Sequence, residues 1–308
     1  MGCGINIYSY CSLEPLYEVG YTEIISHDWG FSRKINNLKL EFDSNKKNNV
    51  DIVKAVMKQC GLNPQEGYRF ILSSYASANS GLAGSSALLC AIMGSIYSYA
   101  NRPILNRARF ARDAINIERD ILKRAGGSQD QIYSTVGGFS FTEFTKNEIT
   151  TCPLRFENDL LAELHSSMLL FELPIQRTVS ASVIEAKKIK NMEGNVEILK
   201  EIRECAYAMR HNITRGDIEA LGQLLEINWE AKKRLEGVSN KKIDYYHDIG
   251  IKAGAIGGKL CGAGGGGSMF FICPFENRKN IINKMTQAGC RQIPFDFDSM
   301  GMVAWRTQ

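Results

Sequence analysis

The sequence lacks the devices that mark a secreted, membrane-bound or metal-centred protein. Its nine cysteines, at positions 3, 11, 60, 90, 152, 205, 261, 273 and 290, are odd in number and contain no C-x-x-C pair. Several, Cys90 and Cys205 among them, sit in apolar runs where a free thiol acts as a small hydrophobe. This favours a reducing compartment over a disulfide framework. Histidine is scarce: His27, His165, His211 and His247 lie far apart without metal-ligand spacing, so no His-based zinc site is expected. The longest apolar stretch, Ala87 to Ala100, contains Gly94, Ser95 and Ser98 and is too short to span a bilayer. The start shows no basic region followed by an apolar core. Met1-Gly2 is followed by Asn6 where a myristoylation pattern needs Ser or Thr. A cytoplasmic protein without a membrane partner is expected.

A strong charge of either sign is also missing. The formal net charge is +4, too mild to argue for a nucleic-acid partner. Basic residues interleave with acids, as in Lys187-Lys188 after Glu185 and Lys232-Lys233 after Glu230, which reads as solvated helix faces. Two familiar phosphate motifs do not occur. Gly-x-x-x-x-Gly-Lys-Ser/Thr is absent, and Lys259 precedes its glycines rather than following them. A Gly-x-Gly-x-x-Gly turn between a strand and a helix is absent too; the run at 262–267 meets that pattern only trivially and precedes a strand.

What is present is glycine, concentrated in two places. Ser80-Gly81-Leu82-Ala83-Gly84-Ser85-Ser86-Ala87 runs into the apolar stretch Leu88 to Tyr99, and Gly262-Ala263-Gly264-Gly265-Gly266-Gly267-Ser268 runs into Met269-Phe270-Phe271-Ile272. Without a Cβ, backbone N–H groups can turn toward one point. A helix starting at Ser85 adds its own free N–H groups and the positive end of its dipole. The combination suits an anion, phosphate above all. A flexible loop is the bland alternative for the second segment.

The 308-residue chain, 44% hydrophobic and 23% charged, is ordinary for a soluble globular protein and long enough for two modest domains. Residues 5–42 read as strands and turns, with strands at Leu16–Tyr21 and Leu38–Phe42, and Asp43–Asn49 reads as a loop. Val50–Cys60 has helical spacing, and Tyr68–Ser74 reads as a strand leading into the first glycine segment. Leu88–Tyr99 is apolar on nearly every face and should be a central helix. A helix over Asn106–Lys123, ended by Gly126-Gly127, is followed by loop and strand over Ile132–Phe144. A domain boundary is placed near residue 160, giving domains 1–160 and 161–308. Beyond it come a strand at Met168–Phe171 and helices at Ile198–His211, Asp217–Leu235 and Asp244–Ile256. The second glycine segment, a strand, a helix near Asn277–Ala288 and a strand near Met302–Trp305 complete the chain. No internal repeat or low-complexity stretch occurs.

Two acids stand out. Glu118 has Ala114, Ile115, Ile121 and Leu122 at i−4, i−3, i+3 and i+4. A carboxylate beside an apolar face needs a partner, because burying it alone costs several kcal/mol. An ion pair in the neighbourhood of Arg119 is one solution; a magnesium ion held with the Ser86 hydroxyl is the other. Asp130 lies between Gln129 and Gln131 after a double-glycine turn. It reads either as a turn cap or as the group that orients or deprotonates a hydroxyl in phosphoryl transfer.

Taken together, these segments resemble the galactokinase, homoserine kinase, mevalonate kinase and phosphomevalonate kinase (GHMP) superfamily. Ser80 to Ala87 resembles its phosphate loop, and Lys259 to Gly267 its C-terminal glycine motif. Ile117-Glu118-Arg119-Asp120, Gly127 to Gln131, Gly137-Gly138-Phe139 and Gly257-Gly258-Lys259-Leu260 resemble its D-glycero-D-manno-heptose 7-phosphate kinase branch. The resemblance covers residues 50–308 well and 1–50 poorly.

The resemblance implies an α+β fold of two domains, the N-terminal one like ribosomal protein S5 domain 2 and the C-terminal one ferredoxin-like, with nucleotide between them. It implies ATP bound by Ser80, Gly81, Leu82, Ala83, Gly84, Ser85 and Ser86, and Mg2+ held by Ser86 and Glu118. Asp130 is the expected catalytic residue, facing the anomeric hydroxyl of a heptose 7-phosphate. Gln129 and the loop of Gly262, Ala263, Gly264, Gly265 and Gly266 shape the site of the substrate and the transferred phosphate. The product, a heptose bisphosphate, feeds nucleotide-heptose and surface-polysaccharide synthesis. A homodimer is left open. The family's first motif, a strand with a basic residue followed by Gly-Gly-Gly-Thr-Asp, has no counterpart after Met1-Gly2-Cys3-Gly4-Ile5. That leaves three alternatives: a start further upstream, a non-catalytic member that binds nucleotide or sugar, or a kinase for a different sugar. A second departure is Ser77-Ala78-Asn79, which lacks the family's proline before the first loop.

Overall fold

A computed structural model describes residues 1–41, 50–145, 148–175 and 180–307. The chain divides into two compact units, one of Gly4–Ser77, Ala83–Gly138 and Asp298–Gln308, the other of Met1–Cys3, Ala78–Leu82 and Phe139–Phe297. The sequence reading placed one boundary near 160; in space the chain passes between units after residues 3, 77, 82, 138 and 297. The first glycine segment is therefore shared, Ser80–Leu82 with one unit and Ala83–Ser86 with the other.

Strand β1 (Gly2–Ile5) opens the chain, followed by β2 (Ser9–Leu16), β3 (Tyr21–Ser26), β4 (Phe31–Asn36), α1 (Asp51–Cys60), β5 (Gly67–Ser74), α2 (Gly84–Tyr99), α3 (Arg107–Asn116) and α4 (Gln129–Val136). In this first unit the sheet runs β2-β5-β3-β4. β2 pairs antiparallel with β5 along its whole length, from Ser9↔Ser74 to Leu16↔Gly67, while β3 pairs parallel with β5. The strand period of two shows in β5, where Tyr68, Phe70 and Leu72 are buried and Arg69, Ile71 and Ser73 are less so. These side chains join Val53, Val56 and Met57 of α1 and Leu89, Ile92, Met93 and Ile96 of α2 in one core. The apolar α2 is thus the central helix that its composition requires.

Several local expectations shift. Residues 17–20, expected within a strand, form the turn between β2 and β3, because Gly20 adopts a left-handed φ of 76°. Leu38–Glu41 is not a strand: the Asn36 side chain accepts from the Leu38 N–H and turns the chain, so the strand falls on Phe31–Asn36 instead. Phe42 and the loop expected at Asp43–Asn49 lie outside the described residues. The segment expected as loop before Phe139 is the helix α4. Met302–Trp305 is irregular: the Met302 N–H donates to the Thr135 C=O of a helix rather than to a strand, and just beyond it the Arg306 guanidinium donates to the Tyr99 C=O.

The second unit contains β6 (Phe139–Phe144), β7 (Ile149–Leu154), α5 (Asn158–Ser167), β8 (Met168–Glu172), α6 (Ala181–Lys190), α7 (Val196–Ile213), α8 (Ile218–Lys233), α9 (Lys241–Lys252), β9 (Gly257–Leu260), β10 (Ser268–Ile272), α10 (Arg278–Gln287), β11 (Arg291–Gln292) and β12 (Phe297–Asp298). Its four-stranded sheet is antiparallel in the order β11-β8-β10-β9. β6 pairs antiparallel with β7 and with Gly2 and Cys3 of β1. Phe171, Trp229, Leu260, Met269 and Phe271 form the core between sheet and helices. The helices at 196–213, 218–233, 241–252 and 278–287 match the expected ones, while α5 and α6 are additional to them.

Glycine lets α9 and β9 close on one aromatic ring. A Cβ on Gly250 or on Gly258 would stand 2.3 Å from the Phe271 ring. Gly250→Ala is expected to lower stability by about 1–3 kcal/mol through overpacking. Urea unfolding checks this, and an unchanged midpoint would show that the ring yields freely. Two of the four histidines make structural contacts: His247 pairs with Glu226 at 3.0 Å, and His165 meets the Phe295 C=O at 2.8 Å. No helix among the described residues is long and apolar enough to cross a membrane.

Candidate active site

In the first unit, α2 begins at Gly84, one residue earlier than expected, with Ala83 at a left-handed φ of 59° as its N-cap. The first helical bond runs from Ala87 N–H to Ala83 C=O, which leaves the N–H groups of Gly84, Ser85 and Ser86 without an intrahelical acceptor. Gly84 is there for close approach: its Cβ would lie 3.1 Å from that of Ala76. Ser85 is exposed, whereas Ser86 is buried.

Ser86 meets Glu118. The Ser86 hydroxyl donates to Glu118 Oε2 at 3.1 Å, and Gln131 Nε2 donates to Ser86 Oγ at 3.2 Å and also to Glu118 Oε2. Glu118 is 6% exposed and sits on a π-helical turn, Ile117–Ile121, that continues α3. Such turns widen a helix and occur often at functional sites. Both protein partners that the sequence offers Glu118 stand beside it. Arg119 Nη1 stands 3.8 Å from Glu118 Oε1, a loose ion pair, while the hydroxyl expected from Ser86 is in direct contact. The guanidinium of Arg119 is chiefly engaged elsewhere, donating to the C=O groups of Arg124 and Gly127. It thereby fixes the turn that leads into α4.

Asp130 therefore lies not in a turn but in the first turn of α4, half-buried, with Gln129 Nε2 donating to its Oδ1 at 3.2 Å. An acid there is favoured by the helix dipole. Sequence reasoning named the triplet 129–131 but assigned no role to Gln131, which is fully buried and binds both Ser86 and Glu118. The missed signal was the i, i+4 pair of Gln131 and Thr135, one polar stripe on a buried face. The Gln131 Oε1 atom has no hydrogen-bond partner among the described residues.

In the second unit the two glycine segments meet backbone to backbone. Ser268 N–H donates to Ser80 C=O at 2.7 Å. Added Cβ atoms on Gly81, Gly262 and Gly267 would stand 2.7 Å from Cys261 C=O, 2.9 Å from Gly81 Cα and 2.5 Å from Ser80 C=O, and all three glycines have positive φ. Leu82 N–H reaches Ser80 Oγ at 3.4 Å. Gly264, Gly265 and Gly266 also take positive φ values, of 116°, 76° and 137°. The loop is anchored rather than free: Cys261 N–H donates to Ser268 C=O and Gly265 N–H to Val238 C=O.

Beneath this loop lie the lysines. Lys232 Nζ donates to the C=O of Gly262 at 2.7 Å and of Leu260 at 3.5 Å. Lys188 Nζ donates to Ala263 C=O at 2.7 Å and to Glu185 at 2.8 Å, and Lys259 Nζ to Asn228 Oδ1 at 2.6 Å. Desolvation, with Lys259 and Lys188 nearby, brings Lys232 down to about 7, and desolvation lowers Lys259 as well. The reading of Lys188 and Lys232 as solvated helix faces is corrected here. Charge alternation along the sequence gave no sign that both would turn inward.

The chain matches the GHMP kinase N-terminal domain over residues 48–138 and the GHMP kinase C-terminal domain over 209–291. It is 34% identical to D-glycero-alpha-D-manno-heptose 7-phosphate kinase of Campylobacter jejuni over 242 residues, 77% of this chain and 71% of that protein. Among solved structures it is similar to D-glycero-D-manno-heptose 1-phosphate kinase of Bacteroides thetaiotaomicron, with TM-score 0.77 at 24% identity across 99% of this chain and 89% of that one. It is also similar to mevalonate kinase of Methanococcus jannaschii, with TM-score 0.75 at 20% identity across 96% and 90% of the two chains.

Proposed function

Because the chain belongs to the GHMP kinase family, we propose that it transfers the γ-phosphoryl group of ATP to the anomeric hydroxyl of a heptose 7-phosphate. The observation that carries this reading is the likeness to the Campylobacter heptose 7-phosphate kinase over 242 residues, in a chain that matches both family domains. In the reaction the anomeric oxygen forms a bond to the γ-phosphorus, the bond to the bridging oxygen breaks, and ADP leaves. Asp130 receives or orients the hydroxyl proton. Ala83 to Ser86 present helix N–H groups to phosphate oxygens, and Ser80 to Leu82 continue the same segment. In this reading the loop of Gly262 to Gly266 shapes the site of the transferred phosphate, and Gln129 steadies Asp130. Catalysis rests on positioning and charge stabilisation.

The donor set suits magnesium. One buried carboxylate, one hydroxyl and an amide whose oxygen has no partner among the described residues stand together at Glu118, Ser86 and Gln131, a hard-oxygen set that would hold the ion beside the phosphates. When bound it neutralises charge on the phosphates. Ser86 and Glu118 are the ligands in this reading; Gln131 holds both in place. Work in the cytoplasm, where the thiols stay reduced and ATP is supplied, completes it. Offering the protein ATP with heptose 7-phosphate, galactose, fucose or mevalonate and measuring ADP release tests the proposal. Release is expected with the heptose phosphate, and preference for another acceptor would overturn the substrate assignment.

A further inference from the structure

The geometry points to Lys232 and Lys188 as positioning residues that hold the second glycine loop by its carbonyls and so aim its N–H groups at the transferred phosphoryl group. The inference rests on the kinase reading for what the loop binds, but the clamp itself is a feature of this unit alone. In a trans peptide unit the C=O and the following N–H point in opposite directions. Lys232 draws in the Gly262 C=O, so the Ala263 N–H faces away from it. Lys188 draws in the Ala263 C=O, so the Gly264 N–H faces away in turn. Among the described backbone bonds neither of these N–H groups has an acceptor, whereas the next one, from Gly265, goes to Val238.

The clamp is held from three sides. Lys232 comes from α8, Lys188 from α6 and Lys259 from β9, with Glu185 beside Lys188 and the Cys261 thiol beside Lys232 and Lys259. Three cations close together with one carboxylate are an unfavourable arrangement for stability alone, since partly buried like charges repel. Burial first, and the ammonium groups of Lys259 and Lys188 after it, push Lys232 down to about 7. An arrangement that destabilises the charged form yet places two ammonium groups on consecutive carbonyls of a glycine loop fits a requirement for loop shape.

Amide hydrogen exchange of the loop, with and without kinetics, tests this. In Lys232→Met, exchange of the amides over 260–266 is expected to rise about tenfold or more, because the anchoring bonds of Cys261 and Gly265 open with the loop. The kcat is expected to fall about 10- to 100-fold while both KM values stay within about threefold, as for a displacement of about 1 Å near the chemistry. Lys188→Met, at the edge of the cluster, should show the same pattern more weakly and keeps the test open should Lys232→Met fail to fold. Loop exchange within about twofold of wild type in a folded variant would overturn the inference, whatever happens to the melting temperature. So would a rise in KM with kcat unchanged. If the wild type phosphorylates no sugar, the proposed function falls, yet the exchange measurement still decides the clamp.

Discussion

Asp130→Asn lowers kcat by a factor on the order of 10² to 10⁴, the range for loss of a positioned base, and leaves the affinity for ATP nearly unchanged. The substitution keeps size and shape and removes only the charge that attracts the hydroxyl proton. Asp130 stands in the first turn of α4, so the neutral amide also costs the helix its favourable dipole contact, an effect of about 0.3–1 kcal/mol that does not unfold the unit. Calorimetric titration of ATP together with steady-state kinetics separates the two effects. A variant that keeps its kcat shows Asp130 to be an ordinary first-turn acid.

Glu118→Gln gives the second large effect. The amide can still accept from Ser86 or from Gln131, but the only carboxylate of the Ser86–Glu118–Gln131 group is gone. Turnover is expected to fall by about two orders of magnitude, the scale seen when transition-state charge loses a stabilising group. The magnesium concentration for half-maximal rate should rise by about tenfold or more, as a ligand charge is lost. Stability should change little, by about 1 kcal/mol for one altered hydrogen bond, because the nearest cation, Arg119, is 3.8 Å away and bonded mainly to Arg124 and Gly127. A large fall in melting temperature with an unchanged magnesium dependence would make Glu118 a structural ion-pair partner instead.

How far the site could be read from sequence depends on whether each feature is local. The glycine segments are local, and their reason is now visible: Gly81, Gly262 and Gly267 stand where a Cβ would strike backbone. The central helix α2 was legible from an apolar run, and Glu118 from its apolar neighbours. Spacing cannot show which distant side chains meet. The approach of Gln131 to Glu118 and the inward turn of Lys188 and Lys232 depend on how helices pack, and an alternating charge pattern conceals the latter. Near the start, one glycine and one Asx turn moved strands by several residues, because β2, β3 and β4 take their register from pairing with β5 and with one another rather than from propensity. The final segment was apolar enough to resemble a strand, yet it is held by Arg306 and Met302 against helices.

Everything proposed for the site turns on which atom receives the phosphoryl group. Phosphorus and proton NMR of the reaction with heptose 7-phosphate and ATP reads it directly. The expected products are ADP and a sugar bisphosphate whose new phosphate is coupled to the anomeric proton. A new phosphate on any other sugar carbon, or ATP left intact beside unchanged heptose 7-phosphate, would contradict it.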